Sequence, residues 1–294
     1  MISVIVVSVH GSSYLEECLD ALHDQEGEFD VEIIVVTSLR GDAVERIKRK
    51  FPGIMLLTPP ARIGIPQLRA LGLSHAAGES VAFTEDCCVP ARSWCAEIIR
   101  AHGSGYDVVG GAIENGSSDT SVNWAAYLCE YGELMLPVPD GEVPGLAGNN
   151  ASYRRNVFKK IDQSFVRDYW EYFLYRELRR LDVKLRSVPT IVVYKKKEHR
   201  FVQFLRQRFY FSRSFAGMRS TNMPPSRRFF YALSSPLLPF LMIWRIARQV
   251  IRKKRFGLEF IRALPFLSLF MVSYAGGEAS GYLFGAGNSL GKVE

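Results

Sequence analysis

Residues 2–9 form an unbroken, mostly β-branched run with no polar face. A strand of that kind is covered on both sides, which requires a sheet sandwiched between helices. The next hundred residues repeat the theme. Ser12 or Ser13 can cap a helix whose Leu15, Leu19 and Leu22 share one face. Residues 31–36 read as a second buried strand, followed by a helix over 42–50. A third strand at 54–57 precedes a helix over 65–76, and strands at 81–83 and 108–111 flank a helix over 91–102. This alternation predicts an α/β fold with a doubly wound, mostly parallel sheet and ligand bound at the strand C-terminal ends.

Residues 113–145, with their Gly, Ser, Asp and Pro, read as a linker or lid containing a helix around 122–134. Residues 145–153 then lead into a helix over 155–160, a helix over 169–181, and strands near 184–187 and 190–194. From about residue 200 the chain becomes basic, aromatic and apolar. Residues 229–244 carry no charge but number only 16 and include two prolines, whereas a helical crossing needs about 20 apolar residues. Arg245, Arg248, Arg252, Lys253, Lys254 and Arg255 follow, and residues 258–275 are apolar apart from Glu259 and Arg262. Two helices completing a core would account for this pattern. The basic connector favours helices in or on a membrane, peripheral or as a short hairpin, at the cytoplasmic lipid headgroups.

Charge sharpens the division. The net charge of +7 conceals an acidic residues 1–150, with 9 Lys/Arg against 21 Asp/Glu, and a basic remainder, with 28 against 9. A basic half faces phosphates. Nucleic acid is a poor candidate, since zinc-finger spacing, an aromatic RNP motif and a glycine-rich basic arm are all missing. Interleaved apolar runs suit an anionic membrane surface instead. Five cysteines without CxxC spacing argue against a disulfide framework or structural zinc and for a reducing cytoplasm. Residues 2–9 are too short for a signal peptide, so the catalytic part is expected on the cytoplasmic side.

The chemistry concentrates at Glu85-Asp86, directly after a short apolar strand and ahead of Pro90 and an expected helix. Adjacent carboxylates at a strand end are a platform for a divalent cation carrying phosphates. With Arg69-x-x-Gly72-Leu73-x-x-Ala76-x-Gly78-Glu79 before it and Trp94 after it, the segment resembles the metal-binding stretch of family 2 glycosyltransferases, over most of residues 2–200. The resemblance implies the nucleotide-diphospho-sugar transferase fold, GT-A. It also implies a donor that is a nucleotide-diphospho-sugar, a Mg or Mn cofactor, and inversion at the anomeric carbon. Residues 1–200 are then the transferase domain, with 1–112 the nucleotide-binding half and 113–200 the acceptor half, and 201–294 a membrane-associated helical region.

Residue by residue, the resemblance puts Ser8 and His10 at the nucleotide, in place of the family's Thr and Asn. Thr37 or Ser38 stands where the family has a base-recognising Asp, which leaves the nucleotide's identity open. Arg69 matches the family's diphosphate-holding arginine, a fork suited to phosphate oxygens. Asp86 is the first choice as metal ligand, with Glu85 on the ribose or metal and His199 completing the metal site. Cys87, a soft ligand in a hard position, is expected to be a spectator. Gly148-Asn149-Asn150-Ala151-Ser152-Tyr153-Arg154-Arg155 resembles the family's acceptor-side stretch, so Asn149 and Asn150 would orient sugar hydroxyls. Asp168-Tyr169-Trp170-Glu171 falls at the family's catalytic acidic pair. Glu171 is favoured over Asp168 as the base taking the acceptor proton, and Trp170 is a candidate to stack on a sugar ring.

The expected activity is metal-assisted glycosyl transfer to a glycan or lipid-linked acceptor in surface polysaccharide or glycolipid synthesis. A non-catalytic sugar-nucleotide-binding or scaffold protein is the alternative, because the base-recognising Asp is lost and Cys87 interrupts the acidic motif. A nucleotidyltransferase would need a Gly-x-Gly-x-Arg loop after the first strand, and none is present.

Overall fold

The computed structural model describes residues 1–9, 11–61 and 63–293; His10 lies outside them. The chain forms two compact units, one of residues 1–116 and 134–197, the other of residues 117–133 and 198–294.

The first unit is built on a nine-stranded sheet, ordered β3-β2-β1-β4-β8-β6-β9-β5 with β7 added on β9. Its parallel half consists of β1 (Ile2–Ser8), β2 (Val31–Thr37), β3 (Met55–Leu57) and β4 (Ser80–Glu85). Every residue of β1 is buried, as its mostly β-branched pattern predicts. Ile5 sits opposite Ile34 on one side and Phe83 on the other. Each such side chain contributes on the order of 1.5–3 kcal/mol by leaving water. Helices α1 (Ser12–His23), α2 (Asp42–Lys50) and α3 (Ile65–His75) connect these strands. A Cβ on Gly72 would stand 2.5 Å from the Ile5 side chain, so only glycine lets α3 settle this close to β1.

The other half is mixed. β5 (Cys88–Pro90), α4 (Trp94–Gly103) and β6 (Val108–Asn115) lead towards β7 (Gly141–Glu142) and β8 (Ala151–Arg154). A 3₁₀ turn (Arg155–Lys159), a single turn α6 (Ser164–Arg167), α7 (Glu171–Arg180) and β9 (Leu185–Lys195) complete the unit. β8 runs antiparallel between β4 and β6, while β6 and β9 are parallel. Most of the pairing in the whole sheet is parallel, the mixed α/β architecture expected.

Several local expectations change. The acidic pair is followed not by a helix but by β5, which pairs antiparallel with β9 and sets Cys88 opposite Lys195. Pro90 closes that short strand and α4 starts four residues later. The two short strands read at 184–187 and 190–194 are one strand, β9, whose irregularity against β6 accommodates Pro189. None of the five cysteines is in a disulfide.

The second unit is helical: α5 (Ser121–Tyr131), α8 (Phe201–Ser220), α9 (Pro225–Ser234), α10 (Leu238–Lys253) and α11 (Gly257–Phe284). α11 packs most extensively on α8, then on α5, α10 and α9. Ala263, Leu267, Phe270 and Met271 of α11 are fully buried, with the Phe270 ring 4.6 Å from that of Phe204 on α8. α9–α10 and α11 are each long and apolar enough to cross a membrane by length and composition.

Candidate active site

The parallel register brings the ends of β1, β2 and β4 level, with Ser8 opposite Thr37 and Val7 opposite Glu85. This is the edge where a doubly wound sheet binds its ligand. Ser8 is fully buried and its hydroxyl has no hydrogen-bond partner among the described residues. A buried hydroxyl left unpaired is a group prepared for a ligand or water. The Thr37 hydroxyl accepts from the Leu39 N–H at 3.0 Å, so it shapes the turn, and Ser38 beside it is exposed.

Arg69 lies on the inner face of α3, one turn before Gly72, and is 7% exposed. Its guanidinium reaches two carboxylates at once. Nη2 stands 3.4 Å from Oε1 of Glu85, at the end of β4, and Nη1 pairs with Glu171, the first residue of α7. Glu171 in turn rests directly on Gly148, where a side chain would occupy the space of its carboxylate. The Gly148 of the expected acceptor-side stretch is therefore the floor on which Glu171 sits. A small cavity of about 20 Å³ adjoins these groups, lined in part by Phe83, Tyr153, Phe165 and Tyr169. Tyr153 donates to the Tyr175 hydroxyl at 2.9 Å, and burial pushes the Tyr153 phenol up to about 12.

Glu85 has a second cation that sequence reading missed. Lys195, only 5% exposed, donates from Nζ to Oε2 at 2.8 Å. A buried ammonium needs such a partner. Glu85 is thus held between Arg69 and Lys195, and Arg69 between Glu85 and Glu171, in one continuous chain of charges.

The residues around the acidic pair also bear on a metal. Glu85, Cys87 and Cys88 each bring one ligand atom within 4.8 Å of the others, so the donor set fits a divalent cation. One carboxylate beside two thiols is a mixed hard and soft set: carboxylate oxygens suit Mg and Mn, whereas thiolates favour softer cations. Cys87, expected as a spectator, belongs to this group. Asp86 does not: it is fully buried, its N–H donates to the Val7 carbonyl at 2.9 Å, and its carboxylate helps burial raise the Cys18 thiol.

The remaining expected residues fall into different settings. Asn150 is fully buried and spent on structure, accepting from Trp94 Nε1 at 2.8 Å while donating to the carbonyls of Ala112 at 2.8 Å and Ile191 at 3.1 Å. Asn149 lies against Cys88, its Nδ2 3.5 Å from Sγ. Trp170 is 6% exposed and caps the start of α7. Asp168 is bound at the surface by Arg167 through two nitrogens, at 2.9 and 3.0 Å. His199 belongs to the second unit, where its ring stands edge-on to Phe204 at 4.7 Å and its N–H donates to Asn123.

A sheet edge of this kind, with a buried unpaired hydroxyl and two cations gathered among carboxylates, suits an anionic ligand bound at the strand C-terminal ends. The chain belongs to glycosyl transferase family 2, whose model matches residues 3–162, and it is a glycosyltransferase. Its structure is similar to that of mannosyltransferase PcManGT from Pyrobaculum calidifontis, solved with GDP-Man and Mn2+. The identity is 17%, the TM-score 0.60, and the match covers 94% of this chain and 86% of the other. Residues 1–349 of S. aureus TarS match at 16% identity and a TM-score of 0.50, over 95% and 91% of the two chains. GalNAc-T7, solved with UDP, GalNAc and Mn2+, matches at 15% identity and a TM-score of 0.53, over 67% and 43%. No curated protein matches the sequence.

Proposed function

We propose that the chain transfers a sugar from a nucleotide-diphospho-sugar to a glycan or lipid-linked acceptor at the cytoplasmic face of a membrane, in surface polysaccharide or glycolipid synthesis. The observation that carries this is Arg69, which links the end of β4 to Glu171 at the sheet edge. The nucleoside lies over β1 and β2, with the unpaired Ser8 hydroxyl and exposed Ser38 within its reach. The diphosphate draws on Arg69 and Lys195, the two cations already gathered there. A fork and a point charge together suit a diphosphate better than either alone.

Glu171, released from Arg69 as the diphosphate takes the guanidinium, accepts the proton of the acceptor hydroxyl. That oxygen bonds to the anomeric carbon as the bond to the diphosphate breaks on the opposite face, so configuration inverts. The aromatic side chains beside Glu171 orient the sugar and exclude water. Glu85, Cys87 and Cys88 would hold a divalent cation, which when bound offsets the charge collecting on the departing diphosphate. The exposed apolar helices of the second unit support the membrane setting, where lipid-linked acceptors reside.

The test is turnover and donor binding, measured with and without Mn, on the wild type, Glu171→Gln and Asp168→Asn. Glu171→Gln should lose about 10²–10⁴ in kcat while still binding donor, and Asp168→Asn should stay within a few-fold. If all three show the same negligible turnover with every donor that binds, the chain is a sugar-nucleotide-binding scaffold instead.

A further inference from the structure

The outer surface of the second unit is apolar where a water-facing surface would be polar. On α9–α10, Phe229, Phe230, Leu233, Leu237, Phe240 and Trp244 are each more than half exposed, and they recur along one side of the helices. The buried side of α10 is the opposite one, marked by Pro239, Ile246 and Val250. Along one edge of the apolar stripe run Arg245, Arg248 and Arg252, all exposed, with Arg248 over the Trp244 ring at 5.7 Å. α11 shows the same pattern, exposing Leu258, Ile261, Leu269 and Val272. Residues 201–294 hold 14 Lys/Arg against 3 Asp/Glu. Apolar stripes bordered by arginine match a leaflet of anionic lipid, whose headgroups and acyl boundary offer the complementary charges and solvent.

The packing around α11 bears on whether these helices cross the bilayer. α9–α10 runs antiparallel to α11, with Tyr231 stacked on Tyr282 at 5.2 Å and the connection at Lys254–Phe256. α8 lies alongside α11 on another side: Ser273 donates to the Leu205 carbonyl at 2.7 Å, and Phe204 meets Phe270. α8 carries Arg206, Arg208, Arg213 and Arg219. Arg208, 5% exposed, is paired with Glu130 of α5 at 2.5 Å, and Arg245 is paired with Glu133 at 2.6 Å. A crossing hairpin would carry these groups to the depth of the hydrocarbon, where ionised side chains are costly. The charge-free runs, 229–244 and 263–277, span 16 and 15 residues, so either helix, though long enough overall, would place a charged residue among the about 20 positions a crossing occupies.

We infer that the second unit is a monotopic anchor, with α9–α10 and α11 lying in the plane of one anionic leaflet and the 252–256 connection on the same side as the rest of the chain. This rests on the membrane setting proposed above, and specifies its geometry.

The experiment uses the full chain expressed in a bacterial host. An Arg252→Cys variant is treated with a membrane-impermeant maleimide in inside-out and right-side-out vesicles, against the parent protein as background. Labelling in inside-out vesicles alone is the expected result. Labelling in right-side-out vesicles alone would overturn the in-plane geometry while leaving membrane association standing. In parallel, the purified protein is sedimented with phosphatidylcholine vesicles, with and without phosphatidylserine. Phosphatidylserine should raise binding about 10-fold or more, and Phe240→Glu/Trp244→Glu should lose it with an unchanged circular dichroism spectrum. A chain that ignores both vesicle types, or buries this surface in a dimer by light scattering, would overturn the anchor together with the membrane setting.

Discussion

Replacing Arg69 by Met removes a guanidinium that touches both Glu85 and Glu171. Breaking a buried pair by deleting one partner costs about 3–5 kcal/mol, because the other charge is left without compensation. Two features set the value at the low end here. Glu85 keeps Lys195 at 2.8 Å, and the Glu171 side chain is 22% exposed, so water solvates part of its charge. Arg69→Met should therefore lose about 3 kcal/mol in urea denaturation followed by circular dichroism. The orphaned Glu171 carboxylate accounts for much of that loss, so Arg69→Met/Glu171→Gln should be more stable than Arg69→Met alone by about 1–2 kcal/mol, the two losses failing to add as expected for groups in contact. Arg69→Lys should recover little, since a single ammonium cannot span two carboxylates. A loss below about 1 kcal/mol for Arg69→Met, or losses that add in the double variant, would show that the guanidinium does not hold these elements together.

Gly148→Ala places a methyl group where the Glu171 carboxylate rests. The carboxylate must shift by about an ångström, and a displacement of that size can cost about 10² in rate. The expected result is a kcat lowered by about 10–100-fold at near-normal donor affinity, and an unchanged kcat would refute the placement of Glu171. His102 gives a pH signature. It is 5% exposed, contacts Tyr106 and Ser152 through its two ring nitrogens, and burial lowers its pKa below the usual 6.5. The unfolded chain then binds a proton that the folded one refuses, so this contribution to stability is present above pH 6.5 and declines as pH falls from there towards the lowered folded value. Urea midpoints between pH 7.5 and 5.5 should fall less for His102→Gln than for the wild type.

The parallel half of the sheet was legible because its signal is local. A strand with no polar face has to be covered on both sides, and residues 2–9, 31–36 and 81–83 each say so within their own length. β5 was not legible, because Cys88-Val89-Pro90 is three residues whose extended shape comes from pairing with Lys195, Tyr194 and Val193, over a hundred residues away. The helix around 122–134 was read from its pattern, yet its packing against α11 rests on contacts with residues beyond 250. Trp124, for example, stands 4.6 Å from Phe256.

The candidate site divides along the same line. Arg69, Glu85 and Glu171 were singled out from motif resemblance, and the structure brings them into contact. Asp168 shares Glu171's segment but not its direction: one residue before Tyr169 it is captured by Arg167, while Glu171 opens the next helix and turns inward onto Gly148. Lys195 is one of three consecutive lysines, and no motif sets it apart from its neighbours. Its strand held the clue. Ile191 and Val193 are fully buried, and a period of two puts residue 195 on their side. A lysine committed to that side must find a carboxylate, and the neighbouring pairing of β5 brings it beside the end of β4, where Glu85 waits. Alternation and charge together would have nominated Lys195 for the diphosphate, whereas charge counting alone gave a basic half without singling out this residue.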